Sequence, residues 1–351
     1  MHRRTFLTAA AAFAAGCARR PNGATPGDPA RINAERRDRA RHLELLSRFR
    51  VPPTATRTTP PPPADVLAVA PELKPLIKVA VRLHPRFSDE PKPDESKLGG
   101  QFWWPAGEPW PTCDEHRIPL VTVLQLRAED APPNWPFFPG SDLMQLLWCP
   151  RDHNSRGWVK PAVVWRKRAD VTPPLADPPP TDAAFLHYVP VPCRLFPERV
   201  AEFPNWDALP KSVKEKVEAW KPPPLKLRPE WGPPGHAADL VSKPTGVAYY
   251  GLAAAADGTK VGGYPLWDGL PAVPTCPTCG WGMDYLLTVA SSEWDGANWV
   301  RWMPLEERHV RDGRAIAEEG YARAAGLMFG DESNVHLFAC RRCDDWPVRL
   351  V

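Results

Sequence analysis

The sequence predicts an α+β, β-rich protein: an internally duplicated antiparallel-sheet module with a zinc-ribbon-like four-cysteine site in its second half. Three observations predict it. Proline is abundant, 47 residues in 351, which disfavours long helices and suits short strands joined by rigid turns. Short apolar runs bounded by turn residues recur along the chain. Two Cys-x-x-Cys pairs, Cys276-Pro-Thr-Cys279 and Cys340-Arg-Arg-Cys343, have the spacing of a tetrahedral four-thiolate zinc site.

Each pair can offer two sulfurs from one tight turn, and Pro277 and Gly280 suit a backbone folding sharply round a metal. Two disulfides, or four thiols scattered in a core, are the alternatives. A disulfide of this spacing normally accompanies a βαβ pattern, which the sequence lacks. A closed four-thiolate shell leaves no position for water or substrate, so this metal predicts architecture rather than catalysis.

Taken in order, residues 1–17 read as a targeting segment. Arg3 and Arg4 begin a twin-arginine-like export signal, and Ala14-Ala15-Gly16-Cys17 reads as a lipobox in which Cys17 is lipidated. An Ala-rich N-terminal helix is the alternative, with the protein then cytoplasmic. Used as a signal, the segment predicts a protein lipid-anchored at the outer face of the cytoplasmic membrane or in the periplasm. No apolar run is long enough to span a membrane permanently. Residues 18–63 read as a basic and Pro-rich stalk or linker, with helical spacing at Leu43, Leu45, Leu46 and Phe49 and a polyproline run at Pro60–Pro63. The net charge of +3 comprises +2 in residues 1–17 and +5 in residues 18–50, leaving −4 for the rest. So acidic a body predicts no nucleic-acid partner.

Residues 64–240 form the first repeat half with a middle segment, and 241–351 the second half with the zinc site. Strands are expected at 76–83, 119–126, 143–148, 285–290 and 335–339, with a strand-like run at 185–191. Helices are expected at 211–220 and, amphipathic, at 305–325. The duplication rests on an ungapped offset of 163 between the halves. Lys97-Leu98-Gly99-Gly100 echoes Lys260-Val261-Gly262-Gly263, Trp104 meets Trp267, and Pro111-Thr112-Cys113 meets Pro274-Thr275-Cys276. Later the offset becomes 191, bringing Cys149 onto Cys340. The first-half counterparts of the four cysteines are therefore Cys113, His116, Cys149 and Asp152, with His153 adjacent: a candidate second metal site or a decayed one. Cys193 reads as a buried thiol.

These residues carry a resemblance. The chain resembles the YwqG-like bacterial family of unknown function through Lys97-Leu98-Gly99-Gly100 with Trp110-Pro111, Phe196-Pro197-Glu198, and Gly326-Leu-Met-Phe-Gly running into Val335-His-Leu-Phe-Ala-Cys340. More distantly, its Lys-Val-Gly-Gly, Trp and paired Cys-x-x-Cys pattern is similar to the programmed cell death protein 2 zinc-binding family. The resemblance covers roughly residues 66–351. It implies a compact, duplicated β-rich fold and no established reaction, and the eukaryotic relatives' chaperone-like role implies protein binding by analogy.

No nucleophile elbow, zinc-protease helix, phosphate loop or dinucleotide fingerprint is present. His309, His336 and the pair Asp331-Glu332 stand apart from any constellation. The expected function is a non-catalytic, zinc-stabilised protein-binding or scaffold module, with some tryptophans, such as Trp103, Trp104 and Trp110, forming an aromatic patch or covering the sheet. The alternative is a zinc-dependent hydrolase using Cys113, His116, Cys149 and Asp152.

Overall fold

The apolar runs become the central strands of two six-stranded antiparallel sheets. The computed structural model describes residues 29–88, 91–153, 159–180, 183–220, 245–267, 273–308, 317–330 and 333–351. Arg3, Arg4, Cys17, His309, Asp331 and Glu332 lie outside them. The first sheet contains β2 (Arg86–Phe87), β3 (Lys97–Leu98), β4 (Val121–Arg127), β5 (Leu143–Cys149), β6 (Lys160–Arg166) and β7 (Cys193–Arg194), in the order β2-β7-β3-β4-β5-β6. The second contains β1 (Lys78–Arg82), β8 (Glu198–Glu202), β9 (Lys260–Gly262), β10 (Asp284–Ala290), β11 (Asn334–Ala339) and β12 (Val348–Leu350), in the order β8-β1-β9-β10-β11-β12. The fold is thus mixed α and β, with helices confined to connections and the chain's beginning.

Side chains alternate across each strand, and that alternation divides the interior. Along β5, Met144, Leu146 and Trp148 join a core shared by both sheets, whereas Leu147 and Cys149 face a smaller apolar cluster with Phe102, Trp104 and Cys113. Along β11, Val335, Leu337 and Ala339 enter the shared core, whereas Phe338 and, one residue past the strand, Cys340 pack with Cys276 and Met283. The period of two therefore delivers one cysteine per sheet to an outer pocket.

Details recur between the sheets at the spacing seen in the sequence. A β-bulge separates Thr122 from Leu124 in β4, and another separates Tyr285 from Leu287 in β10, each 163 residues on. An isolated bridge joins Thr112 to Pro119, and another joins Thr275 to Gly282 at the same offset. Gly99 and Gly100 both take positive φ, as do Gly262 and Gly263. At Gly263 a side chain would also strike the Glu202 carboxylate, so only glycine lets that group reach Lys260.

A second correspondence escaped the sequence reading. Val79-Ala-Val-Arg82-Leu83-His-Pro85 matches Val191-Pro-Cys-Arg194-Leu195-Phe-Pro197 at an offset of 112. In register, Arg82 lies opposite Lys260, and Arg194 opposite Lys97. The chain crosses sheets at both places: β1 lies in the second sheet and β2 in the first, while β7 lies in the first and β8 in the second. The block β9–β12 thus borrows β1, and the block β3–β6 borrows β7.

The two matching lysines have different surroundings. Lys260 and Glu202 are fully buried and paired at 2.9 Å. Lys97 is equally buried, but its ammonium donates to the Lys92 carbonyl rather than to a carboxylate. Desolvation consequently pulls its pKa down to about 7, despite the nearby Glu95 and Asp94.

Two expectations change. Residues 29–63 are not a free stalk: helix α1 (Pro29–Ser47) lies on the body, with Leu46 in the shared core and Leu43 packed against it. The apolar spacing at Leu43, Leu46 and Phe49 finds cover in Ala324, Ala325, Leu327 and the Tyr321 ring. The run 185–191 is no strand; Ala183–Tyr188 is a 3₁₀ turn, and Pro190 and Pro192 remove ladder donors just beyond it. Tyr188 is instead buried in the core, its carbonyl accepting from Trp148 Nε1 and its ring stacked on Phe329. Of the helix expected at 305–325, the described residues show a 3₁₀ turn at Leu305–Glu307 and a π turn at Glu318–Ala322, and residues 309–316 lie outside them. The helix expected at 211–220 is α2 (Lys211–Glu218), and α3 (Thr245–Leu252) and the short α4 (Trp299–Trp302) were not anticipated. Among the described residues, no helix is long and apolar enough to cross a membrane.

Candidate metal centres

Each outer pocket closes over a cluster of metal-ligating side chains. In the second sheet, Cys276 and Cys279 come from the turn before β10, and Cys340 and Cys343 from the turn after β11. Cys276 Sγ lies 3.8 Å from Cys343 Sγ, Cys279 Sγ 3.5 Å from Cys340 Sγ, and Cys340 Sγ 3.8 Å from Cys343 Sγ. All seven described cysteines are free thiols. Sulfurs sharing a zinc at about 2.3 Å in a tetrahedron stand about 3.8 Å apart, whereas a disulfide needs about 2.05 Å. The set is therefore spaced for a metal ion.

The first turn is built by its backbone. Cys276 N–H donates to the Trp281 carbonyl at 2.7 Å, and Gly280 N–H donates to the Cys276 carbonyl at 2.9 Å. Thr278 N–H points at Cys276 Sγ at 3.4 Å. Against the desolvation that would raise it, the amides of Cys279 and Thr278 bring the Cys276 thiol down to about 6.

The first sheet repeats the turn. Cys113 N–H donates to the Ile118 carbonyl at 2.8 Å, and Arg117 N–H to the Cys113 carbonyl at 2.9 Å. Gly280 has φ +76° and its counterpart Arg117 has φ +57°, a left-handed conformation that costs a residue with Cβ about 1–2 kcal/mol. Nothing lies within 4 Å of a Cβ built on Gly280, so conformation alone sets the cost there. Arg117→Gly should therefore raise stability by about 1 kcal/mol and Gly280→Arg lower it by about as much, read from urea midpoints. Equal midpoints for all three proteins would refute this account of the turn.

The ligand set at this turn differs from the expected one. Cys113, His116 and Cys149 converge as the offsets predict, but the fourth member is His153, not Asp152. Asp152 is occupied elsewhere, accepting the Tyr188 hydroxyl at 2.7 Å. The one-residue shift reflects reach: an imidazole nitrogen extends further from its Cα than a thiol, and zinc-binding histidines are commonly spaced wider than cysteines. The sequence carried the signal, since His153 adjoined the expected position.

The remaining candidates are structural. His336 is buried, with Nδ1 2.9 Å from Thr288 Oγ1 and Nε2 3.1 Å from the Leu266 carbonyl, and burial pulls its pKa down to about 3. Cys193 is fully buried and directs its thiol at the Ala324 carbonyl. Trp104 is buried while Trp103 and Trp110 are half-covered, so they form no exposed patch. Among the described residues the exposed indole is Trp281, 58% accessible, at the head of the Cys276 turn with Arg342 stacked 4.1 Å from its ring.

The fold and its clusters define a two-sheet α+β protein with a four-cysteine set and a Cys/His set, each able to hold a metal ion. No family model and no curated protein matches the chain.

Proposed function

We propose that this chain is a non-catalytic, zinc-stabilised protein-binding or scaffold module, with zinc on Cys276, Cys279, Cys340 and Cys343. The observation carrying this reading is closure: four sulfurs at tetrahedral spacing leave no corner for water or substrate. Zinc is favoured over other metals by an all-sulfur, tetrahedral set. The exposed Trp281, held by Arg342 on the metal turn, supports a client-binding role, because rigidly mounted indoles make efficient contact anchors.

We read the recurring bulges, bridges and glycine turns as an internal duplication, and the resemblance to YwqG-like proteins as kinship. We further propose export through Arg3 and Arg4 and a lipid anchor at Cys17, placing the client outside the cytoplasm. A hydrolase on Cys113, His116, Cys149 and Asp152 is the weaker reading. Asp152 is engaged by Tyr188, and His153 stands at the corner such an enzyme would keep open.

A photo-crosslinking residue at position 281 of the full chain tests the proposal in its native cell envelope. A discrete protein adduct that disappears when Cys276 and Cys279 become serine is expected. Absence of any adduct, together with zinc-dependent hydrolysis lost on His116→Ala, would overturn it in favour of the enzyme.

A further inference from the structure

We propose that Cys113, His116, Cys149 and His153 form a second, Cys₂His₂ zinc site, and that Glu115 is the residue that orients His153 within it. The assignment shares with the reading above only its choice of metal, and its residues belong to the other sheet.

The geometry begins with the sulfurs. Cys113 and Cys149 are 3% and 0% exposed and sit in one apolar pocket, where thiols without a cation gain nothing from convergence. His116 Nδ1 lies 3.3 Å from Cys149 Sγ and 3.7 Å from Cys113 Sγ, and His153 Nε2 lies 3.7 Å from Cys113 Sγ. All four ligand atoms fall within 4.8 Å of one another. Nitrogen and sulfur sharing a tetrahedral zinc stand about 3.6 Å apart, given Zn–N near 2.0–2.1 Å and Zn–S near 2.3 Å. The observed separations bracket that value.

The ring nitrogens facing away from the sulfurs point towards one carboxylate. Glu115 Oε2 lies 2.9 Å from His153 Nδ1, and Glu115 Oε1 lies 3.9 Å from His116 Nε2. A hydrogen bond from His153 Nδ1–H to Glu115 fixes the tautomer whose Nε2 lone pair faces the cluster. That is the carboxylate–histidine–metal arrangement by which outer residues tune zinc sites. Glu115 lies two residues past Cys113 in the same turn, so the loop that supplies two ligands also supplies the orienting group.

Charge sets the two sites apart. Four thiolates leave a zinc complex at −2, whereas two thiolates and two neutral imidazoles leave it neutral. The neutral complex suits the apolar pocket of Phe102, Trp104, Leu120 and Leu147. In the second-sheet cluster the Cys-x-x-Cys turn itself carries Arg341, paired with Asp284, and Arg342, over the Trp281 ring.

The test is metal content and cobalt absorption of the full chain and its variants. Wild type should hold two zincs, His153→Ala one, and Asp152→Asn two. Cobalt should give overlapping four-sulfur and two-sulfur spectra, of which Cys276→Ser/Cys279→Ser removes the four-sulfur component. Glu115→Gln should keep both zincs at saturation but release that of the first sheet to a competing chelator about 10–100-fold more readily, leaving the other unmoved. Should His153→Ala fail to fold, His153→Gln, which keeps the bulk but supplies no imidazole nitrogen, should fold and hold one zinc. Two zincs in His153→Ala with one lost in Asp152→Asn would overturn the ligand set. A single zinc that vanishes with Cys276→Ser/Cys279→Ser would overturn the site while leaving the four-cysteine reading intact. A single zinc lost with His153→Ala instead would do the reverse.

Discussion

Cys276→Ser/Cys279→Ser is expected to lose one zinc per chain and to unfold about 10 °C or more below the parent protein. The cluster round these sulfurs is small: besides the cysteines it contains only Met283 and Phe338, bordered by Trp267, Tyr285 and Val351. Its two turns come from residues 276–279 and 340–343, so without the metal little joins the start of β10 to the end of β11 beyond their ladder. Structural zinc contributes about 10–16 kcal/mol in isolated zinc-finger peptides. Here the two turns hang on strands that have their own ladder and shared core, so a loss on the order of 5 kcal/mol is the fitting expectation. Each kcal/mol moves the midpoint of a large domain by about 2–4 °C. Scanning calorimetry with and without a chelator measures the effect. A double variant that melts with the parent and keeps its full zinc complement would sink the four-cysteine assignment.

Glu307→Leu should cost about 3–5 kcal/mol and free the arm that precedes the first sheet. Glu307 is fully buried and its Oε1 accepts from Arg57 Nε at 2.7 Å and Arg86 Nε at 2.6 Å, both from guanidinium groups almost without solvent contact. Desolvation already lowers the Arg57 pKa, and Glu307 is the largest influence opposing it. Removing the carboxylate leaves two buried cations facing each other, the situation in which a broken buried pair is most destabilising. The same neighbourhood holds the arm down, with Thr58 N–H on Glu306, Thr59 on Glu198 and the Pro60 carbonyl on Arg301. Limited proteolysis between residues 51 and 65 should therefore accelerate in Glu307→Leu, while Glu306→Gln, which keeps an acceptor, behaves as wild type. Unchanged cleavage and melting in Glu307→Leu would show that the arginines find other partners.

What the sequence made legible was whatever one strand or one turn encodes by itself. The runs at 119–126, 143–148, 285–290 and 335–339 announced themselves as apolar and lie on β4, β5, β10 and β11 to within two residues at each end, and Cys276, Cys279, Cys340 and Cys343 announced themselves by spacing. Two sorts of feature did not show. Strands of two or three residues, such as β2 and β7, have no periodicity to read and exist because neighbours supply their ladder partners. His153 stood beside the expected position rather than in it, because the offset of 191 brings Asp152 onto Cys343, whereas a longer ligand needs a different position. The docking of α1 was hidden for another reason: its arginines dominate its composition, whereas three apolar residues decide where it lies.

The borrowed strands govern how this chain can fold. Val81 pairs with Val261, and Cys193 with Leu98, contacts that close loops far longer than any hairpin. High contact order slows folding, because loop-closure entropy is lost before the pairing rewards it. The block β9–β12 is made after β1 and β8, so Val81 emerges long before its ladder partner Val261 and waits without that cover. Cutting the chain between β8 and β9 should then leave the first sheet whole in the N-terminal fragment and divide the second, whose β8-β1 pair meets β9–β12 again only when the two fragments are mixed.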